Sequence, residues 1–230
     1  SVTLIFAGFS VQHSISGVKD RQFGEIMKYD LIVAENDGLT DDESTEISKL
    51  LNSNAVASEI SIHYETVTKT AGKNNDTQSI KVIVPENAEE LSKYIKLCKR
   101  SSGEEVKLTD KGCVISERLA KLLSVKIGDS FKFTDESGNS RTVKVSGITE
   151  MYTGHFIFMN SEYYKTVYGK VYTENAYLVT LKDRSSDNAK LESSRFIKLE
   201  GVKGVVQNTT MTNQIDTIVS SLNMIMRILI

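Results

Sequence analysis

The stretch ISERLAKLLSVKIGDSFKF, from Ile115 to Phe133, sets the local plan of the middle of the chain. Glu117 to Leu123 reads as a short helix, because charged residues alternate with Leu119, Leu122 and Leu123 at helical spacing. Gly128-Asp129 is a turn dipeptide that hands the chain over to Phe131 and Phe133, two aromatics at the period of a strand. Those aromatics face Val143, Val145 and Ile148 across a loop at Glu136-Ser137-Gly138-Asn139, which predicts a hairpin. Upstream, CVIS from Cys113 is a short strand. Downstream, Phe156 to Met159 is another, and Tyr164, Val167 and Tyr168 form a helical stripe closed by Gly169 in a C-cap position. Residues 112–172 are thus expected to form a small β-rich lobe.

Working outward, the N-terminal side carries a polar helical pattern from Ser10 to Met27 and a strand at Asp30 to Ala34. Thr40 with Glu43 forms a capping box that opens a helix running to about Asn54, with Ile47, Leu50 and Leu51 on its apolar face. Val56 to Thr70 and Gln78 to Val84 flank the turn residues Lys73-Asn74-Asn75-Asp76 and predict a β-hairpin. Asn87 is placed to cap a further helix carrying Leu91, Tyr94 and Ile95, which is expected to continue to the loop at Ser101. On the C-terminal side, Asn175 to Leu181 reads as a strand, Asp187 to Glu200 as a helix and Val202 to Gln207 as a final strand. The expectation is an α+β fold in which a split βαβ lobe, residues 29–111 and 173–209, receives the 112–172 lobe as an insertion.

Composition narrows the function. The 230 residues carry 28 Lys and Arg against 30 Asp and Glu, with no basic stripe, so nucleic acid is not expected as a partner. The phosphate-cradling G-x-x-x-x-G-K-[ST] loop is absent, so ATP, if it drives this protein, is expected on another polypeptide. His13, His63 and His155 show no ligand spacing, and Gly8-Phe9-Ser10-Val11-Gln12 departs from a nucleophile elbow at its last position. The acidic residues Asp41, Asp42 and Glu43 suit the N-terminal end of a helix, where carboxylates meet the dipole. Accordingly no catalytic, cofactor-binding or metal-binding residue is assigned, no cofactor is expected, and the chain is not expected to be an enzyme. Cys98 and Cys113 could close a loop in an oxidising compartment or remain two buried thiols, and the sequence leaves both open. Met151 to Phe156 reads either as an aromatic partner surface or as a turn whose aromatics cover the lobe's core.

Two apolar runs, Val2 to Phe9 and Leu222 to Ile230, lie near the ends. Each is shorter than the ~20 residues needed to span a bilayer, and together they suit the stubs of two transmembrane helices. Residues 1–28 and 210–230 are then expected to be membrane-proximal stalk helices that run side by side. Packing of the same runs on the core of a water-soluble domain is the alternative.

These features together resemble the FtsX-like permeases of ABC transporters, in particular the MacB type. Gly8 to Val33 is similar to the exit from a transmembrane helix in that family. Ile115 to Phe133 is similar to its short helix, "Leu-x-Val-x-x-Gly-Asp" turn and strand, followed by a "Val-x-Gly-Ile" strand at Val145-Ser146-Gly147-Ile148. The resemblance implies an extracytoplasmic domain of a cell-membrane protein, built from a porter-like lobe and an inserted β-rich lobe. It implies a cytoplasmic ATPase as partner, a second permease half in the same chain or a second permease, and an extracytoplasmic partner or ligand of unknown kind. Export or mechanotransmission is the implied function. The alternative is a stand-alone extracellular module that binds cell-wall glycan or a peptide.

Overall fold

The computed structural model describes residues 14–208. The apolar runs Val2–Phe9 and Leu222–Ile230, the elbow-like Gly8–Gln12, His13 and the stalk expected over 210–230 lie outside the described residues. Among the described residues, no helix is long and apolar enough to cross a membrane.

Among the described residues the fold is α+β, with nine strands joined in one hydrogen-bonded system. Helical residues 14–19 widen into a π-helical segment, Asp20–Ile26, and lead to β1 (Leu31–Glu35) and α1 (Asp41–Leu51). The capping box forms: the Glu43 amide donates to Thr40 Oγ1 at 3.2 Å, and the Thr40 amide donates to the Glu43 carboxylate at 2.7 Å. Next come β2 (Val56–Ala71) and β3 (Asp76–Pro85), paired antiparallel from Ile62↔Pro85 to Ala71↔Asp76. The remaining elements are β4 (Cys113–Ser116), α2 (Glu117–Leu123), β5 (Ser130–Thr134), β6 (Ser140–Thr149), β7 (Phe156–Phe158), α3 (Ser161–Tyr168), β8 (Ala176–Leu181), α4 (Ser186–Ile197) and β9 (Val202–Gln207).

Two arrangements share β2. In the first, β2, β8, β1 and β9 lie side by side with every neighbouring pair antiparallel, so β1-α1-β2 and β8-α4-β9 are interleaved split βαβ units. One face of this sheet offers Leu31, Val33, Val179 and Leu181 to α1 and α4, through Ile47, Leu51, Ala189 and Phe196. The other face, with Ile32, Ile60 and Leu178, is covered by Ile26, Leu91, Ile95 and Leu97. In the second arrangement, β2–β3–β7–β4–β6–β5 closes on itself, because Thr68 of β2 pairs with Thr134 of β5. Its core joins Phe131, Phe133, Val143 and Val145 to Val67, Ile80 and Val82, with Leu119 and Tyr164 contributed by the helices.

The expected helix after Asn87 is corrected. Only a 3₁₀ turn forms, Glu90–Lys93, after which the chain extends. Ile95 bridges Met27, Lys96 donates to the Ile26 carbonyl, and Cys98 bridges Glu105. Tyr94, Ile95, Leu97 and Cys98 are all buried, and the backbone between them is taken up by Ile26, Met27, Lys28, Glu105 and Val106 in place of its own helical turns.

Geometry explains the turn motif at Gly128-Asp129. Gly128 sits at φ +98°, a conformation costly for any residue with a Cβ. Asp129 accepts from the Lys126 amide at 2.8 Å, and Gly128 and Val145 complete the join to β6 through backbone hydrogen bonds. A Cβ at Gly147 would stand 2.6 Å from Val106 Cγ1 and 3.2 Å from Val114 Cγ2, so this position holds two segments in close contact. In urea denaturation, Gly128→Ala is expected to cost about 1–3 kcal/mol through backbone strain and Gly147→Ala about 1–3 kcal/mol through overpacking. Asp129→Ala is expected to cost ~1 kcal/mol through one lost turn hydrogen bond.

Candidate coupling junction

A polar network lies where the N-terminal helical segment meets the rest of the fold. The widened turn of the π-helical segment, in which the Met27 amide reaches back to the Gln22 carbonyl at 2.8 Å, aims Arg21 and Gln22 at the chain following β6. Arg21 donates through Nε and Nη2 to the two oxygens of Glu150, at 3.2 and 2.7 Å, and also pairs with Glu25. Glu150 is buried and accepts further from Tyr152 Oη at 2.6 Å and Cys98 Sγ at 3.6 Å. Arg21, donating to it, holds the Glu150 carboxyl well below the usual range, at about 2, against the opposing effect of burial. The Gln22 side chain accepts from the Tyr152 amide at 2.7 Å, and Arg100 lies over the Tyr152 ring while pairing with Glu117. Helical segment, β6 and the start of α2 are thereby joined in one network.

A second network fastens the same segment to the four-stranded side. Buried Asp30 accepts from the Leu181 amide at 2.8 Å and from Arg184 Nε at 3.1 Å, and Arg184 also donates to the Lys28 carbonyl at 2.6 Å. Here burial outweighs the donors and raises the Asp30 pKa. Asn208, the last described residue, donates its side-chain amide to the carbonyls of Met27 and Tyr29, both at 2.8 Å, while its backbone amide donates to Asp30. Leu31 lies opposite Gln207 in the ladder. Residues 27–30 and 207–208 therefore occupy one place on the molecule. A cleft of about 370 Å³ opens beside it, lined by Asp20, Phe23, Gly24, Asp30, Arg184 and Asn208.

The cysteines and histidines stand elsewhere or act structurally. Cys98 and Cys113 are buried and unbridged. Burial, aided by Glu150, raises the Cys98 thiol pKa, and burial pushes Cys113 up to about 12, which makes both poor nucleophiles. His63 is buried against Tyr164 and Tyr168, with Nδ1 3.0 Å from the Thr173 carbonyl oxygen and Nε2 3.6 Å from Glu65. His155 lies in the 151–156 loop, its pKa lowered by burial and by Arg118. Among the described residues no cluster of His, Cys, Asp or Glu is placed to hold a metal ion. Met151 and Phe156 are buried, and Tyr152 is half-buried in the Glu150 network, so this loop is engaged within the domain. Sequence reasoning passed over Arg21 and Glu150 because 129 residues separate them. No local pattern marks such a pair.

The chain is similar to the periplasmic region of MacB from Actinobacillus actinomycetemcomitans. The two share 12% identity with a TM-score of 0.39, over 84% of this chain and 95% of that one. It is also similar to the extracellular domain of the noncanonical ABC-type transporter YknZ from Gram-positive bacteria, at 14% identity and a TM-score of 0.36, over 78% of this chain and 99% of that one. No protein-family model matches the chain, and neither does any curated protein.

The junction yields a test of its own electrostatics. The Glu150 pKa is depressed in the fold, so its contribution to stability is complete above the unfolded value near 4.5 and is lost as pH falls from there towards 2. Glu150→Gln is expected to cost about 2 kcal/mol at pH 7, where Arg21 loses its anionic partner, and much less at pH 2.5. Urea titrations of both proteins at the two pH values measure the difference. A gap independent of pH would show that the pair is not ionic in the way described.

Proposed function

We propose that this chain is an extracytoplasmic domain of an ABC-transporter permease of the FtsX-like, MacB type. In this reading the four-stranded side is the porter-like lobe, and the closed six-stranded side, apart from the shared β2–β3 hairpin, is the insertion. The observation that carries the proposal is the coincidence of residues 27–30 with 207–208, held by Asn208 and Asp30. A domain inserted between two membrane helices needs its two connections side by side. The Leu-x-Val-x-x-Gly-Asp turn and the Val-x-Gly-Ile strand support the same reading from the sequence.

The domain works mechanically and has no catalytic role. The connections that enter the domain before residue 14 and leave it after residue 208 lead to the cell membrane, a cytoplasmic ATPase moves them, and the Arg21–Glu150 and Asp30–Arg184 networks pass the movement to the two sides of the domain. Two short ionic contacts at the base of a stiff segment transmit displacement where a flexible linker would absorb it.

Two measurements test this. The gene should encode an apolar segment of ~20 residues continuing each apolar run, and their absence would remove the permease reading. In the full transporter with its ATPase, spin labels at exposed Ile127 and Leu191 should report a distance change on adding ATP. The double variant Arg21→Met, Glu150→Gln should lose that change while ATP hydrolysis continues. Retention of the full distance change in a folded double variant would show that the clamp does not carry the motion.

A further inference from the structure

Lys81 is placed where a cation is expensive. It lies in β3, where Ile80, Val82 and Val84 point into the core of the closed side, whereas Ile83 points into the core beneath the four-stranded sheet. Alternation along the strand puts Lys81 on the Ile83 face. There it lines a cavity of about 270 Å³ with Met27, Tyr29, Phe156, Val205 and Val206. Its Nζ stands 5.6 Å from the centre of the Phe156 ring. Among the described residues it makes no ion pair, and burial alone lowers its pKa, with no neighbouring carboxylate contributing.

A half-buried ammonium without an anion forfeits hydration that one aromatic face only partly replaces. The side chains around it are otherwise apolar or aromatic, with Gln207 and Asn208 at the rim, and both donors of the Asn208 NH2 group go to backbone carbonyls. A cavity of this kind, close to the lower end of small-molecule sites in size, is complementary to one negative charge on a short apolar body. We infer that the Lys81 cavity is a binding site for a small amphipathic carboxylate, with the carboxylate on Lys81 Nζ and the apolar chain against Phe156, Tyr29 and Val206. The site does not depend on the transporter reading, so the failure of either leaves the other standing.

The test uses the 230-residue chain with ¹³C-methyl-labelled methionine, because Met27 lines the cavity and Met159 reports from the other core. Titration with sodium decanoate should shift the Met27 methyl resonance saturably and leave Met159 in place. Decanol should bind at least about tenfold more weakly, as should decanoate to Lys81→Gln, while Lys81→Arg should stay within about threefold of wild type. Val206→Trp, which fills the cavity from β9 and leaves Lys81 intact, should abolish the shift. Thermal melts show that each variant is folded. An unmoved Met27, equal binding of decanol and decanoate, or undiminished binding to folded Lys81→Gln or Val206→Trp would overturn the assignment.

Discussion

Strand β2 is common property. Over Val56 to Ile62 it pairs with β8, and from Ile62 onward it pairs with β3, touching β5 at Thr68. A single 16-residue strand therefore supplies a wall to the open four-stranded sheet and another to the closed six-stranded ring. Its side chains divide accordingly, with Ile60 and Ile62 in one core and Val67 in the other. Slippage by one residue would turn every one of these to the wrong face, so the register of β2 with β3 and with β8 is set by two cores at once. The two sides of the molecule are joined by a continuous hydrogen-bonded ladder.

The charged groups at the base of the domain rest on that frame and differ in character. Glu150 and Asp30 are both buried carboxylates facing an arginine. At Glu150, direct donation from Arg21 dominates, with Tyr152 and Cys98 adding to it, and the group is firmly ionised. At Asp30, burial is the larger effect and the exposed Arg184 offsets only part of it. Pairs of this kind contribute more to a defined geometry than to net stability, because desolvation consumes much of the attraction. Both serve here to hold one short piece of chain, residues 21–30, at a set angle to everything else.

Aromatic packing shows the same economy on the closed side. Tyr164 and Tyr168 stack at 4.4 Å between ring centres, Tyr168 donates to Glu65 at 2.8 Å, and Arg141 lies over Tyr168 while pairing with Asp135. Helix α3 is thereby fastened to β2 and β6 through polar tips on apolar rings. The fastening complements the Asn160 cap, whose side chain accepts from the Tyr163 amide.

What the amino-acid sequence determined by itself is what neighbouring residues decide among themselves. Thr40 and Glu43 start α1, and the hairpin alternation of β2 and β3 follows from residues in register across a short turn. Gly128 and Asp129 make their turn from a positive φ and one local hydrogen bond, and helix α2 and strand β5 flank it where the pattern placed them. What only the tertiary structure decided is everything that rests on distant partners. The stretch after Asn87 has helical spacing, yet its backbone is taken by Ile26, Met27 and Glu105, because those bonds come with burial of Tyr94, Ile95, Leu97 and Cys98. The sharing of β2 and closure through Thr68 and Thr134 leave no mark on hydrophobic periodicity, which records that a side chain faces inward and not which core receives it. The meeting of Arg21 with Glu150, and of Lys81 with an apolar cavity beside Phe156, depends on segments far apart in the chain, and only the folded arrangement brings those groups within reach of one another.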